Sequence, residues 1–215
     1  MSVDENGSGY RWSDIPADQF RRDVAETLGA FSRRAIDLEG RKAAAVLIAI
    51  AEHDGGQGIW LTERSRGLRA HAGQFALPGG RLDPGEDAAA AALRELEEEL
   101  GITAPRSTVL GLLDDYPTRS GYVMSPVVAW IGASPTPTPN PAEVAAVHWI
   151  PIPALDVDPC FGSVPGSDRL AIKLPLLGGH LHAPTAAILY QFREVVLHHR
   201  LTRVDHLEQP RFAWE

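Results

Sequence analysis

The sequence predicts one α/β domain, on three observations. Segments with helical apolar spacing alternate along the chain with short apolar runs of strand type. One of those runs, Ala43 to Glu52, is almost continuously apolar, as in a strand covered on both faces. The chain has 215 residues, the size of one large domain or a domain with tails, and enough for a substantial core. Residues 1–15 read as a flexible N-terminal segment, 16–200 as the domain and 201–215 as a C-terminal tail.

Taken in order, Ala17 to Arg34 reads as an amphipathic helix with Phe20, Val24, Leu28 and Phe31 in register. Ala43 to Glu52 is the buried strand. Asp54-Gly55-Gly56-Gln57-Gly58 turns the chain, and Ile59 to Thr62 returns as a second strand. A helix follows between Asp83 and Gly101. Thr108 to Leu113, Tyr122 to Trp130 and Val144 to Ile150 are further strands. Ser134 to Pro141 is proline-rich and reads as a loop, too short to link domains. Pro159 to Ser167 is a second loop, Arg169 to Leu177 a strand, and Pro184 to His199 a helix with Ile188, Phe192 and Val195 inward.

The helix after Asp83 carries the chemistry. Asp83-Pro84-Gly85-Glu86 has the form of a capping box, with proline at the first helical position. Gly101 stands where a terminating glycine belongs. At about 100° per residue, Ala89, Leu93, Leu96 and Leu100 share one face centred on Leu93. Glu95, Glu98 and Glu99 fall on the opposite side at i, i+3 and i+4, with Ala88 and Ala91 leaving that side sterically open. Three neighbouring carboxylates repel one another unless a cation lies among them. Hard divalent ions take oxygen ligands and commonly bridge carboxylates to substrate phosphates. The acids crowd the C-terminal turn, where the helix dipole disfavours them, and Arg94 is the only cation in the helix. So unfavourable an arrangement points to a metal site for a phosphorylated substrate rather than a solvated acidic face.

The pattern Gly80-x5-Glu86-x7-Arg94-Glu95-Leu96-x-Glu98-Glu99-x-Gly101-Ile102 resembles the Nudix box at every defined position. The resemblance implies an α/β/α sandwich with a mixed sheet and a loop-helix-loop box. It further implies hydrolysis of a diphosphate linked to another moiety, with Mg²⁺ or Mn²⁺ as cofactor. Glu95, Glu99 and Glu98 would hold the metal, together with a backbone carbonyl of the glycine loop, that of Gly79. Arg94 would fix the carboxylates by a bidentate pair. Glu86 has two readings, helix capping or contact with Arg94 or a metal. Upstream, Leu61-Thr62-x-Arg64-Ser65-x3-Arg69-x3-Gly73-x3-Leu77-Pro78-Gly79-Gly80 is similar to the extra signature of the coenzyme A pyrophosphatase branch. The stretch from Leu112-Leu113-Asp114-Asp115-Tyr116-Pro117-Thr118 to Val128 also resembles that branch, as does Asn140-Pro141-Ala142-Glu143-Val144. Leu77 departs from it, as does the segment around Thr185. Arg64, Arg69 and His71 are the implied substrate residues. Glu143 reads as a general base or as structural.

Composition sets the remaining bounds. A formal charge of -8 without a dominant basic patch argues against nucleic acid as a partner. It leaves a small nucleoside diphosphate substrate open, because a metal supplies local positive charge. Cys160 is the only cysteine, so there is no disulfide framework or thiolate metal site. No apolar run approaches the roughly 20 residues that span a bilayer, and Met1 to Tyr10 is polar and unlike a signal peptide. The expectation is a cytoplasmic protein with no membrane partner, and a homodimer is compatible with it. Three activities fit: hydrolysis of coenzyme A or acyl-CoA to 3′,5′-ADP and a 4′-phosphopantetheine product; another diphosphatase activity on ADP-ribose, a dinucleotide or a nucleoside triphosphate; or a ligand sensor without turnover, which has no need of an intact acidic triad.

Overall fold

The computed structural model describes residues 15–65, 73–133 and 135–209. Helix α1 (Ala17–Ala30) leads into β1 (Lys42–His53), which turns back as β2 (Gly56–Arg64). Short strands β3 (Phe75–Ala76) and β4 (Gly79–Arg81) precede α2 (Ala88–Leu100). Then come β5 (Val109–Leu112), β6 (Tyr116–Pro117), β7 (Tyr122–Ala133) and β8 (Val144–Pro151). The chain closes with β9 (Cys160–Ser163), β10 (Leu170–Leu174), β11 (Leu181–His182) and α3 (Thr185–Phe192). The main sheet runs β3-β2-β1-β7-β5, with β4 on β1, β6 on β7 and β8 on β2. It is mixed, because β1 and β7 are parallel while the other pairs are antiparallel. A smaller sheet holds β11-β10-β9.

The uninterrupted apolar run in β1 follows from its place in the middle layer. Ala45, Leu47 and Ala49 face α2, and Val46, Ile48 and Ile50 face the core that contains α1 and α3. The strand period of two thus sorts one apolar run into two cores. Alanine on both partners, Ala45 and Ala49 on the strand and Ala89, Ala91 and Ala92 on the helix, removes the bulk that would hold α2 off the sheet. The opposite layer is larger-grained: Phe20, Val24 and Leu28 of α1 and Ile188 and Phe192 of α3 share one core with Val46, Ile48 and Ile50, α1 lying on β5 and α3 on β10 and β11. The three layers form the α/β/α sandwich that the sequence resemblance implies.

Several elements differ from their sequence readings. Helix α1 ends at Ala30, not Arg34. Phe31 is extended, and the N–H groups of Arg34 and Ile36 donate to the Asp114 and Asp115 carboxylates at 2.7 and 2.9 Å. Those side-chain acceptors outcompete another helical turn. Helix α2 starts at Ala88 and is capped by Asp87, whose carboxylate accepts from the Ala90 N–H at 2.9 Å. The Asp83-Pro84-Gly85-Glu86 stretch is instead a reverse turn, with Gly85 at φ 87° and the Glu86 N–H on the Asp83 carbonyl. Proline followed by glycine at positive φ is the signature of a type II turn, not of a helix start. The buried face of α2 is also rotated from the reading. Leu96, Leu100, Ala91, Ala92 and Glu99 are buried and Leu93 is only half-buried. The side with Ala91 is therefore not open, and Glu99 is not on an exposed face. Strand β9 lies within the expected 159–167 loop; its residues are all exposed, so no apolar alternation marks it.

The segment expected as a C-terminal tail packs as part of the domain through residue 209. Val204 and Leu207 are buried, the Tyr116 hydroxyl donates to the Leu207 carbonyl at 2.8 Å, and Arg119 pairs with buried Glu208. Arg203 forks onto Asp114 at 2.6 and 2.7 Å, and Asp114 also accepts from Gln191 at 2.8 Å. The boundary belongs after this segment, because residues that look polar in sequence are satisfying buried partners.

Leu96 makes the rotation of α2 testable. Leu96→Asp places an unpaired charge in a fully buried position and is expected to cost more than about 4 kcal/mol, leaving no cooperative unfolding transition. Leu93→Asp, at the half-buried edge, is expected to fold with a loss of about 1–3 kcal/mol. Urea unfolding followed by circular dichroism separates the two; equal losses would place the helix face back at Leu93.

Candidate active site

The site is built where β4 passes under α2. Gly79 and Gly80 pair with Val46 and Ala45 of β1. Neither glycine has a positive φ; space is what demands them. A methyl group at Gly80 would land on the Glu95 carboxylate, and one at Gly79 would strike the Ala45 carbonyl and Val46. The glycine pair therefore lets the strand lie directly beneath the first acid of the helix.

Arg94 organises the acids around this contact. Its Nε and Nη2 donate to the two oxygens of Glu86 at 2.9 and 3.1 Å. Nη1 donates to Glu95 at 2.8 Å and to Glu98 at 2.9 Å, and Nη2 also reaches the Arg81 carbonyl at 2.9 Å. A guanidinium has five N–H donors, and these five bonds use them all. Glu86 is the largest reason the Arg94 pKa rises above its ordinary value. In return, the Arg94 bond, helped by the Asp83 N–H, lowers that of Glu86. Glu86 thus contacts Arg94 and accepts from the Asp83 N–H at 2.8 Å; its helix-capping reading does not hold, because Asp87 caps α2.

Glu99 has a different environment. It is 3% exposed, and its Oε2 has no hydrogen-bond partner. Burial pushes its pKa up to about 8, and the charges of Glu95 and Glu143 act the same way. Arg64 and the Gly79 N–H oppose the rise. Burial also raises Glu95, against the pull of Arg94. Glu98 is held at the rim by Arg94 with its side chain 52% exposed.

Arg64 closes β2, where its N–H bonds to the Gln74 carbonyl at 3.0 Å, and its charge acts on Glu99. Its Nε is buried without a hydrogen bond. Arg69 and His71 lie outside the described residues. Glu143 enters from the proline-rich loop, whose Thr138 and Asn140 N–H groups bond to the Leu100 and Glu99 carbonyls at 2.7 and 2.9 Å. These bonds satisfy carbonyls that a helix end leaves unpaired. The sequence reading missed Asp87 as the cap and the Arg81 carbonyl as an Arg94 acceptor. The Pro-Gly pair was the signal that moved the cap downstream.

Among the described residues no three acid or histidine side chains converge as a ready cation cage. Arg94 keeps Glu98 turned to the rim, which leaves Glu95 and Glu99 as a pair one turn apart. That pair still suits Mg²⁺ or Mn²⁺. Mg²⁺ binds through one or two carboxylates and keeps several waters, the donors here are all oxygen, and Glu99 Oε2 is buried and unsatisfied.

The raised Glu99 pKa has a consequence for stability. Folding lifts it from 4.5 to about 8, so between those values the folded state binds more protons than the unfolded state. Its contribution is complete below 4.5 and is lost as pH rises through about 8. In EDTA, the melting temperature is expected to fall across this window, and Glu99→Gln is expected to flatten the decline and melt higher above about pH 8. Mg²⁺ is expected to stabilise the wild type more at high pH than at low pH. Parallel calorimetric profiles for the two proteins would refute the assignment.

With this geometry in view, the chain can be set beside known proteins. The NUDIX domain family model matches residues 41–166, more than half of the chain. The chain is 35% identical over 147 residues to "Nudix hydrolase 3" of Caenorhabditis elegans, covering 66% of this chain and 57% of that protein. It is 42% identical over 112 residues to "Uncharacterized Nudix hydrolase NudL" of Escherichia coli K12, covering 52% and 58%. The chain thus spans little more than half the length of these curated relatives. Among solved structures, the Mycobacterium smegmatis Nudix hydrolase RenU aligns with TM-score 0.51 at 23% identity, over 76% of this chain and 91% of that one. An Enterococcus faecalis MutT/nudix family protein aligns with TM-score 0.50 at 16% identity, over 84% and 72%. These two share the fold, and the matched region contains the whole glycine strand, acid pair and Arg94 clamp: the chain belongs to the Nudix family.

Proposed function

We propose that this chain is a Mg²⁺- or Mn²⁺-dependent diphosphatase that cleaves coenzyme A or an acyl derivative to 3′,5′-ADP and a 4′-phosphopantetheine product. The observation that carries the hydrolase reading is the pair formed by half-buried Glu95, packed on the glycine strand, and buried Glu99, whose Oε2 is unsatisfied. Glu95 and Glu99 would hold the cation, with Glu98 at the rim and the Gly79 peptide beside Glu99. The cation would supply charge neutralisation for phosphate oxygens and a polarised water. Arg94 keeps Glu95 in place, and Glu86 keeps Arg94 in place. Desolvation around Glu99 strengthens every charge interaction there.

The coenzyme A part of the reading is supported by the Leu61–Gly80 signature. Arg64 supports it, because its Nε is buried and its charge acts on Glu99. A guanidinium reads a phosphate by paired, charge-assisted hydrogen bonds. Arg69 and His71 would add contacts to phosphate or adenine from the connector between β2 and β3.

Product analysis over coenzyme A, dephospho-coenzyme A, ADP-ribose, NADH and 8-oxo-dGTP tests the substrate. Coenzyme A is expected to be turned over best, and EDTA to abolish turnover. Good turnover of ADP-ribose with none of coenzyme A would move the protein to another diphosphatase class. Absence of turnover on any diphosphate, with ligand binding retained, would favour a sensor.

Two substitutions refine this. Glu99→Gln is expected to lower kcat by about 10³, a loss of roughly 4 kcal/mol of transition-state stabilisation, in a protein that still folds. Arg64→Ala is expected to raise KM for coenzyme A more than for dephospho-coenzyme A, with about 1.5–3 kcal/mol lost. Equal losses on the two substrates would remove Arg64 from recognition of the 3′-phosphate.

A further inference from the structure

The C-terminal ends of α1 and of the helical turn that continues α3 (Arg193–Leu197) meet at an open groove of about 520 Å³, in the layer opposite α2. Thr27, Ala30 and Phe31 form one wall, and Val195 and Leu201 the other. Arg203 ties the two walls together. Its Nη2 donates to the Ser32 carbonyl at 2.9 Å, and its guanidinium lies 4.9 Å from the centre of the Phe31 ring. The loop wall is braced from beneath as well. The Arg200 N–H donates to the Glu194 carbonyl at 2.8 Å, and the Gln191 side chain donates to the Thr202 carbonyl at 2.8 Å. The groove is therefore formed before anything enters it, so an occupant does not have to order it.

Leu201 stands at the rim, 69% exposed, more than any other large apolar side chain among the described residues. A single exposed leucine on a pliant loop needs no explanation. This one follows a turn in which His199 takes φ 52°, a left-handed conformation that costs a non-glycine residue free energy. Strain and apolar exposure thus coincide beside a fixed apolar groove. The rim also carries opposite charges. Exposed Glu26 lies on the α1 wall, and Arg200, its side chain 63% exposed, lies on the loop wall next to Leu201.

One patch therefore holds an apolar knob, an apolar groove, an anion and a cation. A patch of that kind is complementary to itself across a two-fold axis. We propose that this face joins two copies of the chain, with Leu201 of each copy seated in the groove of the other and Glu26 facing the partner's Arg200. The knob and the cation are adjacent in sequence, so seating Leu201 brings Arg200 to the far rim where the second copy presents Glu26. Gly29 and Ala30, both exposed and small, let the α1 wall be approached closely. A side chain added at Gly29 would meet nothing of its own chain within 4 Å. The charge pairing is what selects a second copy as the occupant, and the inference stands apart from the metal pair and the substrate.

Sedimentation equilibrium of the full chain tests this without reference to turnover. The wild type is expected to dimerise as its concentration rises. Leu201→Glu is expected to raise the dissociation constant by about 30-fold or more, as loss of a central anchor does. Gly29→Arg is expected to weaken the dimer similarly while its monomer melts no lower than the wild-type monomer, because the space beside Gly29 is open within the chain. Glu26→Arg and Arg200→Glu are each expected to weaken self-association by about tenfold. An equimolar mixture of those two variants is expected to recover it, since both cross-pairs are then opposite in charge. A wild type still monomeric at about 1 mM would overturn the proposal. A mixture that associates no better than its components would overturn it too. So would a Leu201→Glu chain that melts lower with self-association unchanged, by giving the groove to a segment of its own chain.

Discussion

The five-donor fork of Arg94 is the interaction on which the arrangement of the site depends. Its acceptors come from three different pieces of backbone: the 83–86 turn through Glu86, strand β4 through the Arg81 carbonyl, and helix α2 through Glu95 and Glu98. One side chain therefore sets the spacing of strand, turn and helix. A lysine could not replace it, since an ammonium has three donors and no planar fork. The clamp also explains how so many carboxylates can share a short segment. It bonds to Glu86, Glu95 and Glu98 together and makes no bond to Glu99.

Glu99 is where stability and function pull apart. A buried carboxyl without a full set of partners costs free energy, and in the metal-free protein it does so by holding a proton. Its position near the C-terminal end of α2 adds the unfavourable end of the helix dipole. The surroundings are otherwise well satisfied. The helix C-terminus is closed by Gly101 in the left-handed conformation and by two N–H groups of the 135–143 loop. Glu99 Oε2 and Arg64 Nε are both buried without a partner, and such unmet groups call for an explanation that a ligand would supply.

How much of this was legible in the sequence depends on the length scale of the signal. The long apolar run of β1, the periodic face of α1 and the acids of α2 could be read, because each repeats over several residues. The two- and three-residue strands β3, β4, β6 and β11 carry no period and exist only through their pairing. The start of α2 was misplaced because Asp83-x-x-Glu86 fits a capping box and a reverse turn equally well until Gly85 adopts its positive φ. The rotation of α2 was misjudged for a different reason. Leucines mark a buried face more loudly than alanines, yet Ala91 and Ala92 are the residues the sheet presses on. The acidic spacing named the residues, but it gave no sign that Glu98 is drawn to the rim and Glu99 into the interior.

The resemblance beyond the box divides into two kinds of information once the structure is considered. Asp114 and Asp115, prominent in the 112–118 stretch, are spent on the scaffold. Asp114 gathers Arg203, Gln191 and the Arg34 N–H, and Asp115 gathers Arg33, Ser125 and the Ile36 N–H. These contacts fasten the segment after α1 and the C-terminal segment to the start of β6, on residues separate from the Glu95–Glu99 pair. The Leu61–Gly80 stretch is different, since it ends in the glycine strand and carries Arg64, whose charge acts on Glu99. The aspartate pair instead ties the segment after α1 and the C-terminal segment to the sheet.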